Sequence, residues 1–188
     1  MEVRTTDIDG VLIIQPKVFG DRRGYFFESF NSAAFNGATG LDIHFVQDNE
    51  SMSCAGVLRG LHFQKPPFAQ SKIVRCVRGA VLDVAVDIRR GSPTYGRHVA
   101  VELTEENHTQ FFIPKGFAHG FAVLSDFAVF QYKCDEFYHP EADGGISLLD
   151  RSLGIDWKIN LSEAILSEKD TKHVLLEDFD SPFVYGEY

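Results

Sequence analysis

Two short segments carry the residues best suited to chemistry. Residues 56–64 read Gly-Val-Leu-Arg-Gly-Leu-His-Phe-Gln and residues 114–121 read Pro-Lys-Gly-Phe-Ala-His-Gly-Phe. Each sets one histidine, His62 or His119, among glycines and strand-forming residues. An imidazole titrates near neutral pH and serves as base, acid or metal ligand. A catalytic metal centre takes about three protein ligands and keeps one position open. The stretch Phe63-Gln64-Lys65-Pro66-Pro67-Phe68 offers no carboxylate to complete such a set. Two imidazoles alone make a poor cage, so metal-free acid–base chemistry is the better use of the pair.

Strands must hold these segments. Along Val81 to Ile88 the apolar Leu82, Val84, Val86 and Ile88 fall on one face and Asp83 and Asp87 on the other, the pattern of a half-buried strand. Comparable runs occur at 11–14, 43–47, 57–63, 73–77, 99–103, 111–113, 121–124 and 127–133, divided by turn signals such as Arg78-Gly79 and Gly91-Ser92-Pro93. Many short strands with close turns indicate a sandwich or barrel. Helical signals are peripheral: a short helix near Ser32 to Asn36, and another beginning at Ser167, where Ser-Glu-Lys-Asp has the form of a capping box.

The 188 residues carry a net charge of −9 with 44% hydrophobic and 24% charged residues, which fits a single globular domain spanning residues 1–188. The acidic balance repels a phosphate backbone, so no nucleic-acid partner is expected, and any small anion must be held by a few placed cations. Cys54, Cys76 and Cys134 show no C-x-x-C spacing and read as reduced thiols. The first residues lack a basic start followed by an apolar stretch, and no run of 18 apolar residues occurs. The expectation is a cytoplasmic protein without a membrane partner.

The two histidine segments resemble the two motifs of the cupin jelly roll, a mainly β double-stranded β-helix whose barrel mouth holds the active site. Gln64 occupies the position of that fold's second metal-binding histidine, and its glutamate is missing. Together with residues 72–79 (Lys-Ile-Val-Arg-Cys-Val-Arg-Gly), 150–157 and 166–170 (Leu-Ser-Glu-Lys-Asp), the segments are similar to the dTDP-4-dehydrorhamnose 3,5-epimerase family over about Asp21 to Asp170. That resemblance implies a cofactor-free, metal-free homodimer acting on dTDP-4-dehydro-6-deoxy-D-glucose, a dTDP-sugar, and inverting the carbons on both sides of its ketone. Each inversion takes a proton alpha to a carbonyl and returns one to the other face. The site therefore needs a base, an acid across the ring and positive charge at the enolate oxygen.

By resemblance, His62 is the base, Asp170 the carboxylate that orients it, Tyr132 the acid and Lys72 the cation near the keto oxygen. Helix capping by Asp170 is the competing explanation of that residue. Strict alternation sets Tyr132 beside Ala128, Phe130 and Cys134 on an interior face. The family assigns substrate binding to Arg59, Gln47 and Asn49, and to Arg23, Phe26 and Glu28 reaching across from the partner subunit. His119 and Lys169 are further binding candidates, and Tyr138 and His139 remain open. Arg59 and His62, three apart in a regular strand, face opposite sides unless Gly60 carries a bulge. Gln47 and Asn49 are expected to share a strand face with Phe45, and Glu50, where the family more often has histidine, to add negative charge near the diphosphate. The alternatives are an epimerase for another nucleotide-linked 4-keto sugar or for one carbon only, a metal-dependent cupin oxygenase, and a non-catalytic sugar-binding module.

Overall fold

The computed structural model describes residues 1–187. In chain order its strands are β1 Glu2–Thr5, β2 Leu12–Gln15, β3 Phe19–Asp21, β4 Gly24–Phe26, β5 Gln47–Cys54, β6 Leu58–Gln64 and β7 Lys72–Arg78. They continue as β8 Ala80–Asp87, β9 His98–Thr104, β10 Gln110–Ile113, β11 Phe117–Val123, β12 Phe127–Cys134 and β13 Asp143–Gly145. One sheet has the order β1-β2-β10-β7-β12-β5 and the other β13-β6-β11-β8-β9, while β3 and β4 pair only with each other. The expected mainly β jelly roll is the arrangement observed.

Three apolar layers explain why these strands are so rich in hydrophobic residues. Between the sheets lie Val74, Val81, Ala85, Leu103, Phe111, Phe117, Phe121 and Phe130. Outside the second sheet, Leu58, Leu61, Leu82, Val84 and Val86 pack under the C-terminal segment through Trp157 and Phe183. Outside the first, Ile14, Ile73 and Phe112 are covered by Phe35 of the helix α1 (Ser32–Thr39). Asn31 caps that helix by accepting from the Ala34 amide, and Gly40 closes it in the left-handed conformation.

Several expectations require correction. β8 is buried on both faces, not half-buried: Asp83 and Asp87 point between the sheets and are 0% exposed. A strand covered on both sides need not be apolar on both where buried partners satisfy its carboxylates. No strand forms over 43–46; β5 starts at Gln47, and Phe45 turns to the outer aromatic cluster with Phe30 and Phe35. Phe45 therefore does not share the strand face of Gln47 and Asn49. The helix expected from Ser167 is only a 3-10 turn at Asp170–Lys172.

Candidate active site

The bulge at Gly60 sets the site. His62 pairs across β11 with His119, but Arg59 pairs with Phe121, so three steps on β6 match two on β11. Since His119 and Phe121 share a face, Arg59 and His62 do too, which resolves their conflict of alternation. Glycine is required there: φ is +138°, and a Cβ would stand 2.6 Å from Gly120 Cα.

A cleft of about 330 Å³ opens between the sheets, lined by His62, Lys72, Tyr132, Gln47, Asn49 and Lys169 among others. His62 belongs to one sheet, whereas Lys72 and Tyr132 belong to the other. His62 Nε2 lies 2.5 Å from Asp170 Oδ1. Burial is the largest single influence on Asp170 and opposes its charge, but the hydrogen bond and charge of His62, with Ser167 and His173, together hold the carboxyl below its ordinary value. An ionised carboxylate only accepts, so it fixes the proton on Nε2 and leaves the Nδ1 lone pair of His62 free. Ser167 Oγ accepts from the Asp170 amide at 3.1 Å, one half of a capping box. The carboxylate itself is directed to the imidazole.

Burial raises the Tyr132 phenol above its ordinary value, so it keeps a proton to donate. Tyr132 follows Phe130 inward as alternation requires. Lys72 Nζ sits 5.9 Å from the Tyr132 ring centroid, and desolvation lowers its ammonium below the usual lysine range. Cys134 adds a neutral wall, its thiol pushed up to about 11 by burial.

His119 does not line this cleft. Its Nε2 lies 3.0 Å from both oxygens of buried Asp83, behind Lys72 and His62. Burial pushes Asp83 up and His119 down, each opposed by the attraction of the other. The alternation of β8 hid this partner, because it suggested a solvent face for Asp83. His173, beside Asp170, was also missed, and no motif pointed to it.

Gln64, at the position that the resemblance aligns with a cupin histidine, holds the fold instead. Its Nε2 donates to the carbonyls of Phe68 (2.7 Å) and Phe137 (3.0 Å), and its Oε1 accepts from the His139 amide at 2.6 Å. Every strong contact is spent on tying two loops to β6. One of those loops carries Tyr138, which lines the cleft; His139 instead stacks on Phe68 with centroids 3.7 Å apart.

Among the binding candidates, Gln47, Asn49 and Lys169 line the cleft, and Lys169 pairs with Asp143. Arg59 is exposed and is not among the residues lining the cleft, its Nε 3.2 Å from Ser53 Oγ. Glu50 points to the opposite face of β5, where it accepts from Gln131 at 2.7 Å, so its charge faces away from the cleft. Arg23 and Phe26 lie outside the cleft of their own chain, on the β3–β4 hairpin around a separate hollow. Glu28 bonds Asn31. Phe26 and Tyr25 are 70% and 62% exposed.

Comparison with known proteins agrees with this architecture. The sequence profile of the family described as dTDP-4-dehydrorhamnose 3,5-epimerase matches residues 5–178. A dTDP-4-dehydrorhamnose 3,5-epimerase of Escherichia coli is 54% identical over 95% of this chain and 96% of its own length. The crystal structure of the Elizabethkingia anophelis enzyme of the same name superposes with a TM-score of 0.91 at 51% identity, covering 96% of this chain and 99% of that one. A Legionella pneumophila dTDP-6-deoxy-D-glucose-3,5-epimerase, solved in complex with dTDP-4-keto-L-rhamnose, gives 0.91 at 50% identity over 95% and 94%. Matches of this extent, on a chain whose His62, Tyr132 and Lys72 meet in one cleft, place it in the dTDP-4-dehydrorhamnose 3,5-epimerase family.

Proposed function

We propose that the chain inverts carbons 3 and 5 of dTDP-4-dehydro-6-deoxy-D-glucose to give dTDP-4-dehydro-L-rhamnose, through an enolate at the 4-keto group. One observation carries the reading: the candidate base and acid stand on opposite sheets across the cleft. A sugar ring held between them turns one face to His62 and the other to Tyr132. His62 Nδ1 takes the proton from carbon 3 or 5, and the electron pair of that C–H bond moves into the ring as the carbonyl oxygen becomes an enolate. Asp170 stabilises the imidazolium, and the Lys72 ammonium stabilises the oxyanion. Tyr132 returns a proton from the other face.

The acid and base are residues of this chain, and the reading calls for no cofactor. Gln47, Asn49, Arg59 and Lys169 serve the nucleotide and diphosphate, while His119 is held behind Lys72 and His62 by Asp83. A homodimer supplies the remaining contacts: the exposed β3–β4 hairpin delivers Arg23 and Phe26, followed by Glu28, to the cleft of a second copy. Among the described residues no helix is long and apolar enough to cross a membrane; the cytoplasmic location is part of the proposal.

The test is incubation with substrate in heavy water. The native protein is expected to place deuterium at both carbons, His62→Ala at neither, and Tyr132→Phe to exchange without completing both inversions. Wash-in by His62→Ala at the native rate would overturn the assignment of the base; label at carbon 3 alone would turn the reading to a single inversion.

A further inference from the structure

Beside the His62–Asp170 pair stands a group that the proposed reaction leaves unused. His173 follows the Asp170–Lys172 turn, and its ring meets that of His62 edge-on with centroids 5.7 Å apart. Its Nε2 is buried, makes no hydrogen bond and lies 4.0 Å from Asp170 Oδ1. A buried ring nitrogen without a partner is costly and calls for a reason. Room for the ring is kept by Gly145, where a Cβ would fall 2.6 Å from that nitrogen.

One ligand atom from each of His62, Asp170 and His173 lies within 4.8 Å of the others, the one such trio among the described residues. We propose that this trio binds a single divalent d-block ion of the zinc type, and that the ion inhibits the enzyme. Two imidazoles and a carboxylate are the donor set that borderline ions select, whereas magnesium and calcium favour oxygen cages. Around a tetrahedral zinc the donor atoms stand about 3.3 Å apart, as bond lengths near 2.0–2.1 Å require. The present separations of 2.5 Å and 4.0 Å from Asp170 Oδ1 straddle that value, and the third lies within 4.8 Å. Of the three, His62 is the one that lines the cleft, its side chain 31% exposed. Lys169, the nearby cation, is already paired with Asp143.

Inhibition follows from the tautomer. With the ion on His62 Nε2, the ring proton moves to Nδ1, and the lone pair that would take the substrate proton is gone. Binding of the ion is independent of the function proposed above; only its inhibitory effect depends on His62 being the base.

The experiment titrates chelator-treated protein with zinc chloride by calorimetry and with cobalt chloride by visible absorption, for the native chain, His173→Gln and His173→Ala, each checked for folding by circular dichroism. The expected result is one ion per chain, with cobalt bands of a four-coordinate site. Affinity should fall by well over about tenfold in both variants, since losing a ligand exceeds the loss of an outer-shell partner. Zinc should abolish native turnover reversibly with EDTA, while each variant keeps its own metal-free rate at the same zinc concentration. No saturable binding, or binding unchanged in both variants, overturns the site. Stoichiometric binding with turnover intact supports the site and instead refutes His62 as the base.

Discussion

The imidazole of His62 and the carboxylate of Asp170 meet at 2.5 Å although 108 residues separate them in the chain. His62 comes from the bulged strand β6, and Asp170 from a turn after the last strand, where its amide is held by Ser167 Oγ. The two halves of the S-x-x-D pattern are thus divided: the backbone of Asp170 serves the turn, and its side chain serves the histidine.

Replacing that carboxylate separates the two roles. Asp170→Asn keeps the amide that Ser167 receives but offers an amide side chain where an acceptor-only group fixes the tautomer. Turnover is expected to drop by roughly 10²–10⁴, as for orienting carboxylates elsewhere, while the Ser167 contact is kept and stability falls by no more than about 3 kcal/mol, the upper worth of a charged hydrogen bond. Steady-state rates alongside urea unfolding check this; a large loss of stability with modest loss of rate would make Asp170 a structural residue.

Lys72 gives the alkaline limb. Desolvation lowers its ammonium below the usual lysine range, so the positive charge needed at the oxyanion is lost, as pH rises, earlier than an ordinary lysine would lose it. Rate should decline at a pH below the ordinary lysine pKa of about 10.4. In Lys72→Arg the limb should move upward, because guanidinium stays charged, and Lys72→Met should lose about 10²–10³ in kcat. A pH–rate profile with the same alkaline limb in Lys72→Arg would assign that limb to another group.

Much of this was legible in the sequence, for identifiable reasons. Alternation located β7, β8, β10 and β12 and turned Tyr132 inward, because side chains on a strand change face at every residue. Gly60 marked the bulge for the same reason, since only a break in alternation reconciles Arg59 with His62. What stayed hidden depends on neighbours distant in sequence. Nothing local distinguishes a carboxylate facing water from Asp83 facing a buried histidine, or shows that Phe45 leaves the line of β5 to join Phe30 and Phe35. His173 acquires meaning only once the chain end folds back onto β6 and β13.

Gln64 should report how firmly two loops are tied to β6. In Gln64→Leu the carbonyls of Phe68 and Phe137 and the amide of His139 lose their partner together. Buried groups left unpaired cost about 1–3 kcal/mol each, partly relieved here by water at the loop surface, so a loss of roughly 2–4 kcal/mol is expected. KM should rise more than kcat falls, because the released loop carries Tyr138 at the cleft and none of the proposed acid–base groups. An equal fall in kcat with KM unchanged would show that the loop is not what Gln64 positions.

Acid stability should depend on Asp87, far from the chemistry. Burial alone would raise its carboxyl, but Arg89, Ser92 and Thr94 donate to it at 2.6 to 2.9 Å and hold it below its ordinary value. A depressed carboxyl stabilises the fold fully above the unfolded value near 3.9 and loses that contribution as pH falls through the folded one. Asp87→Asn removes the carboxylate that balances buried Arg89 and should cost about 3–5 kcal/mol at pH 7. The difference between native and variant in urea unfolding should stay constant down to about pH 4, then shrink as protonation removes from the native protein what the substitution already removed. A difference that holds undiminished at pH 2, with both proteins still folded in the absence of urea, would mean that the buried network owes its strength to packing around Asp87 rather than to its charge.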